Sequence, residues 1–186
     1  MGALVASAPM TQRAPGGGDP WKLFARKRGL RHVGPSLLVV NERGHVEGVV
    51  DDVLLVLDTC MESSRDRFVS HTRVTGRAVA PVPLRMAVQS RDGAAEVPEG
   101  ALRSLEDPEF DERFVVKATP IDAVRALLGE DLRSALLRFR EPLVLTYGAG
   151  EARLFWEGFE KELDTLELAA DIVLATCRFR GSGGYR

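Results

Sequence analysis

Histidine titrates near neutrality and is the first place to look for acid–base chemistry. The chain has three, His32, His45 and His71, and they fall in unlike contexts: a helix end, the start of a strand, and a loop before a strand. No HxH or HExxH spacing links them, so a metal or a catalytic base would need a meeting through the fold. One pairing is sharper. His71 follows Cys60 closely enough for the two to lie on neighbouring strands, and a thiol beside an imidazole is the arrangement of a Cys/His nucleophile. Only sequence proximity supports it, and two unremarkable side chains are the plainer reading. Cys177 sits on the apolar stripe of the last helix, where a thiol acts as a small hydrophobe and burial makes it inert. Both cysteines are expected to be reduced thiols, since two in a chain of 186 residues do not make a disulfide scaffold. No CxxC or Cys/His spacing suggests zinc.

Other clusters read as structure. Glu106, Asp107, Glu109, Asp111 and Glu112 form the densest run of acids, but the DxDxDG loop of a calcium site is absent, and Asp107-Pro108 suits a turn or the start of a short helix. Gly148-Ala-Gly150 lacks the third glycine and the lysine of a phosphate loop and joins two strands, which makes it a hairpin turn. Ser63-Ser64 has no nucleophile elbow around it. No catalytic residue, cofactor site or metal site is assigned. Among the aromatics Phe155, Trp156 and Phe159, alternation puts Phe155 and Trp156 on opposite faces of a sheet, so one is core and the other is free to act as an anchor. Trp156 and Trp21 are the expected partner contacts, because tryptophan joins a large apolar area to a polar tip.

The composition narrows the classes. With 25 Lys and Arg against 27 Asp and Glu, the net charge is −2 and the signs are interleaved. Binding to a nucleic-acid duplex draws on the release of phosphate counterions and wants a basic excess. Only Lys22, Arg26, Lys27, Arg28, Arg31 and His32 approach one, and a solvated helix face accounts for them, so no nucleic-acid partner is expected. Apolar runs fall short of the roughly 20 residues that span a bilayer. Met1–Met10 has neither a basic n-region nor a long enough apolar run for a secretory leader. A cytoplasmic location without membrane contact is the expectation.

Stepping along the chain, residues 1–18 end in Ala14-Pro-Gly-Gly-Gly18 and are expected to be a disordered tail. Asp19 as N-cap and Pro20 at the first helical position start a helix that Gly29 ends. β texture follows: Leu37–Val40, His45–Val50 and Val53–Leu57, punctuated by Asn41–Gly44 and Asp51-Asp52, predict an antiparallel meander. Met61–Arg67 reads as an exposed loop, and Phe68–Val79 alternates loosely. Pro83–Val88 is a strand with Leu84, Met86 and Val88 on one face. A loop over 90–112 precedes a strand at Arg113–Lys117. Thr119, Pro120 and Asp122 signal a helix start, with two short helices at 120–128 and 130–139. Leu143–Tyr147 and Ala152–Trp156 form the clearest hairpin. A last helix over 160–178 carries Leu163, Leu166, Ala170, Val173 and Cys177 on one side. Strands cluster without helices between them, which argues against a parallel sheet. The expected fold is α+β: a largely antiparallel sheet of about seven to eight strands, helices packed on one face, and a long C-terminal helix. A single domain covers 19–179, with a flexible tail over 180–186.

The run Asp107-Pro-Glu-Phe-Asp-Glu-Arg-Phe-Val-Val116, after a strand meander and before a helix pair, a hairpin and a helix, resembles bacterial domains of unknown function. Trp21–Gly29, Gly44 and Gly48 share in the resemblance, which extends loosely over 20–178. It implies a bacterial α+β domain that is not a known enzyme, and it brings no site residues. In some relatives a similar domain follows membrane helices, which this chain lacks.

A chain well supplied with core, caps and turns but without assembled chemistry is expected to be a soluble, non-enzymatic accessory or protein-interaction domain. It would bind another protein, or a second copy through its final helix. The alternative is a small-molecule-binding protein or cofactor-free enzyme with a pocket between the sheet and the C-terminal helix. Convergent polar groups such as Asp52, Asp58, Arg73 and Arg85 would mark such a pocket.

Overall fold

The computed structural model describes residues 18–35, 44–64, 67–79, 82–91, 102 and 104–180. The expected tails fall outside these residues apart from Gly18 and Arg180. So do the strand expected at Leu37–Val40 and residues 92–101 and 103 of the 90–112 loop.

Asp19 caps the first helix, α1 (Pro20–Arg28), by accepting a hydrogen bond from the Trp21 amide at 3.0 Å, and Gly29 ends it in the left-handed conformation at φ 67°. A three-residue strand, β1 (Arg31–Val33), pairs with β2 (His45–Val50). Then come β3 (Val53–Ser64), β4 (Arg67–Ala78) and β5 (Arg85–Ser90). Asp51 and Asp52, at φ 45° and 64°, turn β2 into β3. Two consecutive positive φ values make the turn type I′, whose twist matches that of the strands it joins. Next are α2 (Pro108–Arg113), β6 (Phe114–Thr119), α3 (Ile121–Leu127) and α4 (Glu130–Arg138). The hairpin β7 (Leu143–Gly148) and β8 (Glu151–Glu157) turns through Ala149 and Gly150, again both at positive φ, and α5 (Leu163–Arg178) closes the domain.

The strands form one eight-stranded sheet in the order β1-β2-β3-β4-β8-β7-β5-β6, with every neighbouring pair antiparallel. One face carries the core. Val53, Leu55 and Leu57 of β3, Val74 of β4, Leu154 of β8, Leu145 of β7 and Val88 of β5 are all buried. Burying each such side chain stabilises the fold by about 1.5–3 kcal/mol. Helix α5 lies across β3, β4 and β8, with Leu166, Ala170, Val173 and Cys177 buried on its inner stripe. Gly76 of β4 sits directly beneath it: a Cβ there would lie 2.5 Å from Val173 Cγ1 and 2.9 Å from Cys177 Sγ, so only glycine permits this approach. The apolar stripe of the last helix is thus taken up inside the domain and is not left for a second copy. α1 is fastened to α5 by Arg28, which donates to the Glu167 carboxylate at 2.6 Å and pairs with Asp171 at 2.8 Å.

Three expectations are corrected. The loop expected at Met61–Arg67 is strand as far as Ser64, paired in register with Arg67–Ser70. Backbone ladder bonds do not depend on side-chain polarity, so a polar stretch continues the hairpin as readily as an apolar one. Thr119 caps no helix; it is the last residue of β6, paired with Arg85, and Pro120 takes the N-cap position without a side-chain bond. The residue before a proline is biased to extended backbone, which suits a strand end. And β1 lies where no strand was expected; three residues are too few to show a period.

Candidate functional site

Because side chains alternate along a strand, the residues between the buried ones point to the opposite face of the sheet. Every residue presented there whose side chain is described is half-buried or exposed. Its centre is built by β3, β4 and β8, whose register sets side chains in rows. Cys60, His71 and Glu157 form one row, Asp58, Arg73 and Phe155 the next, and Val56, Thr75 and Arg153 a third.

Directly opposed side chains on one face have Cβ atoms about 4.5–5.5 Å apart. Asp58 and Arg73 use this closeness for a two-pronged ion pair, with Arg73 Nε and Nη2 donating to the two carboxylate oxygens at 2.9 and 2.6 Å. The hydrogen bond to Asp58 raises the Arg73 guanidinium above its ordinary range, although partial burial opposes the shift. The His71 ring stands edge-on to Phe155, with centroids 5.9 Å apart. Its Nδ1 is enclosed yet has no hydrogen-bond partner among the described residues. A cleft of about 140 Å³ opens beside it, lined by Gln89, Val144, Phe155 and Glu157. Toward the other end of the strands, Glu151 accepts from Arg77 at 2.8 Å and pairs with Arg153, and these bonds, led by Arg77, hold its carboxyl below the usual range.

Beyond these rows β3 and β4 continue as a two-stranded arm. β2 pairs only with Val53–Leu57, and β8 reaches only His71, so among the described residues the arm's outer segments have no further strand beside them. Met61 and Phe68 stand on one face of it, 61% and 74% exposed.

The residues singled out from the sequence are distributed as follows. Cys60 and His71 are direct cross-strand partners. Asp58 and Arg73 meet; Asp52 lies in the β2–β3 turn, and Arg85 lines a separate cleft of about 450 Å³ with Pro83, Thr119 and Pro120. His45 faces Glu47 at 3.6 Å. His32 lines a third cleft, of about 570 Å³, with Asp19, Trp21, Lys22 and Phe159. None of these three clefts is lined by a residue of α5, and Gly76 brings β4 into close contact with that helix. Cys177 is buried there, and burial pushes its thiol up to about 11.

Trp21 and Trp156, offered as partner contacts, are both only 2% exposed. Trp21 stacks on Phe159 at 5.0 Å, and Trp156 meets Phe139 edge-on at 5.1 Å. Both indole N–H groups find partners on Glu160, its backbone carbonyl for Trp21 at 3.0 Å and its carboxylate for Trp156 at 3.1 Å. They are core residues with satisfied polar tips. Of the Phe155/Trp156 pair, Phe155 is the one on the uncovered face. Sequence reasoning missed Met61 and Phe68, which stood in or beside the expected loop, and gave no signal for Glu160. The acid run is structural. Asp107 accepts from the Phe110 amide at the start of α2 and pairs with Arg133 at 2.8 Å, while Asp111 accepts from Ser104 and Leu105. Among the described residues no three His, Cys, Asp or Glu side chains converge as a metal site would need, and no helix is long and apolar enough to cross a membrane.

No protein-family model matches the chain, and no curated protein sequence matches it. Among solved structures, the crystal structure of the mycobacterial trehalose monomycolate transport factor A, TtfA, is similar in fold. Its TM-score is 0.51 at 10% sequence identity, covering 84% of this chain and 93% of that one. At that identity the likeness is one of fold alone.

Proposed function

We propose that this chain is an accessory, protein-interaction domain that holds its partner through the projecting β3–β4 arm. The observation that carries this reading is the exposure of Met61 and Phe68 together on an arm whose outer strand edges are unpaired among the described residues. Edges of this kind accept an added strand, main-chain bonds giving affinity and alternate side-chain sites giving specificity. The partner such an arm fits is an extended segment carrying apolar side chains. The likeness to TtfA, a transport factor by name, agrees with an accessory role; it is fold-level analogy and carries no residue across. A cytoplasmic location belongs to the same proposal, and it suits two cysteines that form no disulfide.

The test is affinity purification of the tagged chain from its native host, with Phe68→Asp run in parallel. A stoichiometric partner retained by the wild type and lost by the folded variant supports the reading. A partner bound equally by both, or none at all, removes it.

The second reading, small-molecule binding, is favoured by the cleft beside α1. Its size, about 570 Å³, is that of a ligand site, and it joins the Trp21–Phe159 stack to Lys22, His32 and Asp19. Thermal-shift screening reads it out: a ligand that stabilises the wild type and not Lys22→Ala supports this cleft.

A further inference from the structure

Cys60 and His71 face each other across β3 and β4 with no strand offset, and Arg73 stands one step along on the same face. Glu157 follows in the same row on the far side of His71. Thiols become nucleophilic in partly exposed surroundings where cations sit beside them, and inert when buried among apolar groups. Cys60 is half-buried on a face that no helix among the described residues covers, whereas Cys177 is buried on the sheet-facing side of α5.

We propose that Cys60 is a reactive thiol site, activated by its cross-strand neighbours His71 and Arg73, that takes up small disulfides and other soft electrophiles. The inference goes beyond the docking reading and does not depend on it.

The charges around the sulfur favour its ionised form. From β4, His71 and Arg73 supply an imidazole and a permanent cation. The thiolate and the Arg73 guanidinium lie close enough for each to stabilise the other's charge. On β3 itself Asp58 and Glu62 stand two residues to either side of Cys60, and the charge of Asp58 is met by two hydrogen bonds from Arg73. From β8, Glu157 stands beside His71 in the same row. On β2, His45 and Glu47 face each other farther along. The enclosed Nδ1 of His71 has no hydrogen-bond partner among the described residues. The adjoining cleft of about 140 Å³ gives room for a small group next to the ring.

The chemistry balances without a further reagent. The Cys60 thiol gives its proton to His71, and the thiolate attacks one sulfur of the incoming disulfide. A new S–S bond forms as the old one breaks, and the leaving thiolate carries away the electron pair and takes up the proton. Cys60 is oxidised and half of the small disulfide is reduced.

The experiment follows alkylation of the full chain by iodoacetamide between pH 5.5 and 9.5, with peptide mapping to separate the two cysteines, and repeats it with glutathione disulfide. An unperturbed thiol titrates near about 8.5. The expected result is a Cys60 rate profile with its midpoint at least about one pH unit lower, a mixed disulfide at Cys60 alone, and an unlabelled Cys177. His71→Gln should raise the midpoint by about half a unit or more and slow labelling at pH 7 about threefold or more. A wild-type midpoint at 8.5 or above overturns the proposal, as does a profile that a folded His71→Gln leaves unchanged. The wild-type profile needs no variant, so a variant that fails to fold shelters nothing.

Discussion

The indole N–H of Trp156 donates to the carboxylate of Glu160 at 3.1 Å, and the same carboxylate accepts from the Lys161 and Glu162 amides at 2.7 Å each. The Glu160 backbone meanwhile accepts from the Trp21 indole and donates to Thr72. One residue between β8 and α5 thus ties two buried tryptophans to the chain that leads into the long helix. Removing its side chain strands a buried donor, which costs more than the bond itself contributes. Glu160→Ala is expected to lower stability by about 1–3 kcal/mol, and Glu160→Gln, which keeps an acceptor, to recover most of the loss. Urea denaturation followed by tryptophan fluorescence measures both. A loss under about 0.5 kcal/mol for Glu160→Ala, within the range of ordinary surface substitutions, would mean that water replaces the carboxylate.

The contact of Gly76 with α5 gives the next test. A methyl group there would meet Val173 and Cys177 at 2.5 and 2.9 Å, on backbone that cannot retreat without moving the strand. Gly76→Ala should destabilise by about 1–3 kcal/mol, the usual cost of overpacking. Gly148→Ala is the control, because the nearest atom to its added carbon is Arg85 Cγ at 3.9 Å. Equal effects of the two would show that α5 shifts to make room.

Such contacts explain what the sequence could and could not disclose. The caps and turns were legible because their chemistry is local: Asp19 with Pro20, Asp51-Asp52, and Ala149-Gly150 act within a few residues. The α5 stripe and the alternation of Leu84, Met86 and Val88 were legible as periods. Which strands neighbour one another was not. β8 inserts beside β4, pairing with residues 74 to 86 positions earlier in the chain, and that insertion creates the rows on the uncovered face. The Cys60–His71 pair was within reach because it belongs to a hairpin, whereas Glu157 and Phe155 joined the row only through the non-local pairing. The tryptophans misled for a related reason. An amphipathic ring suits an interface or a core equally well, and the choice fell to Glu160, a residue with no pattern around it.

Acid should act through Asp107. The amide of Phe110 and then the Arg133 guanidinium hold its carboxyl below the usual range. A depressed folded value means the contribution is complete above the unfolded value, near about 3.9, and is lost as the pH falls through the lower folded one. Asn at this position still caps α2 but does not titrate. Melting temperatures of the wild type and Asp107→Asn should therefore differ most at pH 7 and converge toward pH 2.5. A gap that stays constant over that range would assign the role of Asp107 to shape, not charge.

Cys177 offers a reporter for the docking of α5. The residue stands on the sheet-facing side of α5, 1% exposed, and burial holds its thiol at about 11. Ellman's reagent should leave it untouched in the native protein at pH 8 and modify it only on opening. Helix and sheet share one core, so in urea the labelling transition should coincide with the loss of tryptophan fluorescence, as a single cooperative unit requires. Labelling that precedes the fluorescence change would instead show α5 lifting from the sheet as a separate unit. Gly76→Ala sharpens the distinction. It strains chiefly the helix–sheet contact, so a detachable α5 would expose Cys177 at lower urea than in the wild type while the fluorescence midpoint stayed nearly fixed. A cooperative domain would move both midpoints together.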